Sequence, residues 1–144
     1  MQKTMNFMDG SKMAILKLTY SNISQIRSYF LSMENIPNLT FGQRRGLARF
    51  NESIGKEFEA FIEEVKKIAE EYCEKDENGD LIIMENGAQK IKDDFIETVD
   101  RLLIDLYKTE TEIDYMPFKL PEESFDYLQC DKETFKLIEE NFIL

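Results

Sequence analysis

Apolar side chains recur along this chain in two rhythms, one every second residue and one every third or fourth. Residues 14–19 (AILKLT) alternate after a brief apolar start, which suits a short strand or an extended lead-in. Ser21 or Asn22 can cap a first helix, in which Ile23, Ile26, Tyr29, Phe30 and Met33 recur at helical spacing before Pro37 closes the segment. A turn is expected between Glu34 and Leu39. Thr40 followed by Gln43 reads as a capping box, in which each side chain satisfies a backbone N–H left free at a helix start. From there helical periodicity holds to about Glu74. Leu47, Ile54, Phe61 and Ile68 lie seven apart, and Phe50, Phe58, Val65 and Tyr72 fill a second row. A helix of that length is about 50 Å long, closer to a coiled-coil element than to a compact globule. Gly42, Gly46 and Gly55 weaken its first half by about 1 kcal/mol each relative to Ala.

Two tight-turn pairs follow, Asn78–Gly79 and Asn86–Gly87, with the apolar run Leu81–Met84 between them, and these predict a hairpin-like excursion. No internal repeat is evident. A second helix is expected from residue 88 to about 107, with Ile91, Phe95, Val99, Leu102, Leu103 and Leu106 on its apolar face. Residues 109–115 (TETEIDY) alternate strictly and predict a strand, which Pro117 ends or confines to an edge. Asp131 or Thr134 can start a last short helix whose apolar face is Phe135, Ile138 and Phe142. The expected fold is therefore mainly α. A long antiparallel helical hairpin (about 40–75 and 87–107) joins two shorter helices and a small β element built from segments near 14–19, 81–84 and 109–116. Patterning begins only at Met13, so residues 1–12 are expected to be a flexible N-terminal arm and 13–144 one helical domain.

A chain of 144 residues with 42% hydrophobic content suits one core, and 12% aromatic content is too much large apolar surface for a disordered chain. The net charge of −11 is uneven: residues 1–60 carry eight Lys/Arg against five Asp/Glu, and residues 61–144 carry ten against twenty-four. An acidic half repels nucleic acid and anionic membrane and is drawn to basic partners, although solubility alone would also account for it. Cys73 and Cys130 lie far apart and do not form a disulfide framework, so reduced, buried thiols are expected. No run approaches eighteen apolar residues, and the first residues show neither the apolar core nor the cleavage pattern of a signal peptide.

Histidine is absent, which removes the commonest general base and metal ligand. No phosphate-binding glycine loop and no CxxC pair is present. Asp76, Asn78 and Asp80 match the first ligand positions of a calcium loop. Leu81 stands where such a loop needs glycine and Gly87 where it needs a bidentate glutamate, so a solvated polar turn is the better reading. Glu110, Glu112 and Asp114 fall on one face of the second strand. They could hold a magnesium ion, but such rows more often keep an edge strand from pairing with other chains. No catalytic residue, cofactor or metal site is assigned. Arg44, Arg45, Arg49 and Lys56 make a modest basic strip on the long helix. Because that helix outruns its expected neighbour, part of its stripe should be uncovered near Leu47, Phe50 and Ile54. Together with Arg44, Arg45 and Arg49, these form the candidate interaction surface, suited to a second copy or a partner helix rather than to nucleic acid. The competing possibility is that the first helix, from Ile23 to Met33, folds back and covers the stretch.

The order of segments also carries a resemblance. "ILKLTYSNI" leads into a short helix, and a long charged helix ends in "EEYCEKDENGDLIIMENG". A second helix closes on "LLIDLYKTETEIDYMPFKL", and "LQCDKETFKLIEENFIL" finishes the chain. Over residues 13–144 this resembles a family of small uncharacterised proteins, a domain of unknown function, encoded by tailed phages and prophages of Gram-positive bacteria. The resemblance implies a phage origin, a location in the bacterial host cytoplasm or on the virion, and no transferable active-site residue. The expectation is a non-enzymatic accessory protein that binds a protein partner and forms a homo-oligomer, in particle morphogenesis or against a host system. The alternatives are an acidic inhibitor of a nucleic-acid-binding groove and a metal-dependent enzyme using the acidic strand. Contact with nucleic acid or membrane is not expected.

Overall fold

A computed structural model describes residues 13–144, so the arm expected at 1–12 lies outside the described residues. The fold is mainly helical with one small sheet. Strand β1 (Ala14–Thr19) runs into helix α1 (Tyr20–Ser32) with no loop between them. Thr19 makes this possible by ending the strand and capping the helix at once. Its hydroxyl accepts from the Asn22 N–H, and the Asn22 carboxamide accepts from the Thr19 N–H. The cap thus falls before Ser21 and Asn22, the positions expected from the sequence. A short 3-10 turn (Met33–Asn35) leads to helix α2 (Phe41–Tyr72), which starts on the Thr40–Gln43 capping box.

Strand β2 (Glu110–Tyr115) pairs antiparallel with β1, from Ala14 opposite Tyr115 to Thr19 opposite Glu110. Alternation places Leu16, Leu18, Ile113 and Tyr115 inward and Ile15, Lys17, Glu112 and Asp114 outward. The third segment expected in this β element, residues 81–84, does not join the sheet. It belongs to a separate lobe between α2 and helix α3 (Ile96–Tyr107), tied by the bridges Cys73–Ile91, Lys75–Leu81 and Ile83–Gln89. At its centre three backbone hydrogen bonds form a ring. The Ile82 N–H donates to the Glu74 carbonyl, Lys90 to Ile82, and Glu74 to Lys90, at 3.0, 2.9 and 2.8 Å. These residues recur at an interval of eight, and each intervening turn reads Glu-Asn-Gly with its glycine at φ +84°. The lobe therefore contains a short repeat where none was evident in the sequence.

That ring also explains why the second long helix starts later than residue 88. Residues 88–92 spend their backbone groups on the lobe, and a 3-10 turn (Asp93–Phe95) precedes α3. With twelve residues, α3 is much shorter than the segment expected. It meets the latter part of α2, where Phe61 packs on Tyr107, and the turn before it places Phe95 on Tyr72, both pairs with ring centroids 5.1 Å apart.

After β2 the chain passes through Phe118, Leu120 and a 3-10 turn (Glu122–Phe125) to helix α4 (Lys132–Phe142), capped by Asp131. Thr134, Ile138 and Phe142 form its buried face, whereas Phe135, expected there, is exposed. The phase is set by Thr134, whose hydroxyl accepts from the Asn22 carboxamide at 2.9 Å and is satisfied inside.

The core lies around the first half of α2. Phe50 packs on Phe30, Tyr115, Phe118 and Phe142. Gly46 permits this closeness, because a Cβ there would come within 2.8 Å of the Phe118 side chain. Asn51, buried among these rings, donates to the Phe30 carbonyl at 2.9 Å and to the Glu34 carboxylate at 2.7 Å, and so ties α2 to the end of α1.

Candidate functional site

Leu47, Phe50 and Ile54 are wholly buried, which removes the apolar part of the surface expected from the sequence. α1 does fold back on them through Phe30, and β2, Phe118 and α4 complete the cover. Coverage of the stripe runs opposite to the expectation. Phe58, Val65, Ile68 and Tyr72, in the second half of α2, are only half-buried. Arg44, Arg45 and Arg49 remain exposed, and Phe41 just before them is 78% exposed.

The remaining candidate chemistry is laid out in solvent. Glu110, Glu112 and Asp114 are exposed on the outer face of β2, and register sets Lys17 opposite Glu112. Asp76 turns its carboxylate inward to its own loop, accepting from the N–H groups of Asn78 at 2.8 Å and Asp80 at 3.0 Å. Among the described residues, no group of three or more Cys, Asp or Glu is placed to hold a metal ion. Both cysteines are free thiols, Cys73 buried and Cys130 half-buried. Burial raises the pKa of each, Lys92 opposing the shift at Cys73 and Asp131 adding to it at Cys130. Both shifts favour the protonated thiol.

A different feature stands out: a groove of about 740 Å³ where the start of α1, the end of α3 and one side of α4 converge. Ile104, Tyr107 and Leu137 supply its apolar wall, and Ile104 and Tyr107 are 52% and 41% exposed. Lys108, Asp131, Glu133, Lys136 and Glu140 stand around it. Thr19, Ser21 and Asn22 line it as well, on a segment held by several independent ties. The Asn22 carboxamide reaches Thr134, Gln25 exchanges hydrogen bonds with Asp131 at 3.0 and 2.8 Å, and the Tyr20 N–H donates to the Thr109 carbonyl at 3.0 Å. Asp131 also accepts from the Thr134 N–H at 2.8 Å, and the Thr134 and Gln25 bonds hold its carboxyl below the usual aspartate range.

Sequence reading missed these groove residues. Ile104 and Tyr107 lie beside the apolar stripe of α3 rather than on it, and Leu137 sits next to the buried Ile138. The one available signal was that α3 carries more large apolar residues than a single packed face needs. No helix among the described residues is long and apolar enough to cross a membrane. No protein-family model, curated protein or solved structure matches the chain.

Proposed function

We propose that this chain is a non-enzymatic accessory protein of a phage or prophage, and that it acts by binding another protein through the groove between α1, α3 and α4. The observation that carries the reading is the half-exposed apolar wall of Ile104, Tyr107 and Leu137, rimmed by charged groups. Apolar surface open to water and framed by polar residues has the composition of a protein-binding site, with an apolar centre and a charged rim. The ties among Asn22, Gln25, Asp131 and Thr134 keep the walls in place before a partner arrives, which lowers the ordering cost of binding. Helical walls on both sides suit a helix or a single protruding side chain. The phage setting rests on the resemblance of residues 13–144, and the host cytoplasm or the virion is the location it implies.

Affinity capture from infected or lysogenic host extract, with the natural chain and the Ile104→Asp/Leu137→Asp variant side by side, tests the reading. A protein retained by the natural chain and lost from the folded variant is expected. The same set of proteins on both would contradict it.

A further inference from the structure

We propose that the groove of one copy receives Phe41 and its neighbouring arginines from a second copy. This inference rests on the reading of the groove as a protein-binding site and names the partner. Phe41 is the first residue of α2 and the most exposed Phe among the described residues, at 78%. Its position is fixed rather than loose. Thr40 and Gln43 cap each other's backbone, and the Gln43 carboxamide donates to the Lys119 carbonyl at 2.9 Å. An exposed apolar ring on a fixed stretch of backbone has the form of a docking knob.

Charge identifies the receiver. Arg45 and Arg49 follow Phe41 at intervals of four on the same helix face, and Arg44 flanks them. Among the described residues none of the three makes an ion pair, in a chain whose net charge is −11. The groove offers the complement. Glu133 and Glu140 line it and likewise make no ion pair among the described residues, while Asp131 beside them already accepts from Thr134 and Gln25. Lys108 and Lys136 line it too, so its excess is one negative charge, with Glu133 and Glu140 a turn to either side of Lys136. Phe41 supplies the apolar group for Ile104, Tyr107 and Leu137, and the arginines supply paired donors for the carboxylates. Phe41 is not among the residues lining the groove of its own chain, so knob and groove are separate surfaces. Such a contact joins copies head to tail into a ring or an open chain, or closes reciprocally as a symmetric pair.

Sedimentation velocity of the full chain, from about 10 µM to about 1 mM, tests this. Two folded variants serve as partners, Phe41→Asp/Arg45→Glu without the knob and Ile104→Asp/Leu137→Asp without the groove. The natural chain should assemble as concentration rises, less so in high salt. Each variant alone should stay monomeric. Their equimolar mixture should form dimers and stop there, because only one intact knob and one intact groove remain for each pair. A natural chain that stays monomeric throughout, or a mixture that forms no dimer, would overturn the proposal. Assembly lost with the groove variant but kept with the knob variant would also overturn it. In each of these cases the capture comparison above still decides separately whether the groove binds another protein.

Discussion

The rings of Phe50 on α2 and Phe142 on α4 lie 4.9 Å apart, which seals the chain's own C-terminal helix over the stretch that the sequence pattern offered as an interface. Phe50→Ala should therefore destabilise the fold by about 3–5 kcal/mol, the usual cost of emptying a buried Phe site. Phe50→Asp should unfold the chain rather than split an assembly. Thermal melting with light scattering checks both. A folded monomer produced by Phe50→Asp would return this residue to an interface.

Two glycines of α2 should respond to alanine with opposite signs. At Gly42 an added Cβ meets nothing within 4 Å, so Gly42→Ala should stabilise by up to about 1 kcal/mol through helix propensity. At Gly46 the added Cβ would lie 2.8 Å from the Phe118 side chain and 3.1 Å from the Met116 carbonyl oxygen, and Gly46→Ala should destabilise despite the same propensity gain. Denaturant midpoints that move in the same direction would contradict the packing described for Phe118.

Asn51→Asp should be worse than Asn51→Leu. The amide of Asn51 donates to the Phe30 carbonyl and the Glu34 carboxylate, and a carboxylate in its place would donate to neither and repel Glu34. An unpaired buried charge costs about 3 kcal/mol or more. Leu leaves only the Phe30 and Glu34 acceptors to find water. Equal midpoints for the two variants would show that Asn51 does not carry this connection.

The Asp131 cap should show its charge in a pH series. Hydrogen bonds from the Thr134 backbone, then the Thr134 side chain and Gln25, lower its pKa in the folded chain. A carboxylate lowered in this way stabilises the fold fully above its unfolded value of about 3.9, and that stability is lost as pH falls through the lower folded value. Asp131→Ala should cost about 0.5–2 kcal/mol at neutral pH. The penalty should shrink at a pH below that folded value, where the carboxyl is protonated in both states. A penalty that is the same at both pH values would assign the loss to packing instead.

Local chemistry was legible in the sequence where neighbours within four residues decide the outcome. The Thr40–Gln43 box, the Asp131 cap and the alternation that predicts β2 are all of this kind. Where distant backbone competes, the reading failed. Residues 88–92 carry helical periodicity, but their N–H and carbonyl groups bond to Tyr72, Glu74, Ile82 and Met84. Phe135 and Thr134 differ by one position, and the choice between them belongs to Asn22, more than a hundred residues away. The groove was out of reach for the same reason. Its sides come from residues near 19–22, 104–108 and 131–140, and none of these segments alone carries a binding pattern. The basic strip was legible, but which apolar residue accompanies it was not: burial takes Leu47, Phe50 and Ile54 inside and leaves Phe41.

Site-specific photo-crosslinking in the producing cell tests most directly whether the groove is the working surface. A photoreactive residue would replace Lys136, which lines the groove, or Tyr127, which is 87% exposed and lies outside it. Position 136 should give a discrete protein adduct that position 127 does not. An adduct of twice the chain mass would match a second copy, and any other mass a different protein. No adduct at 136, or the same smear of products at both positions, would contradict the claim that this protein acts through its groove.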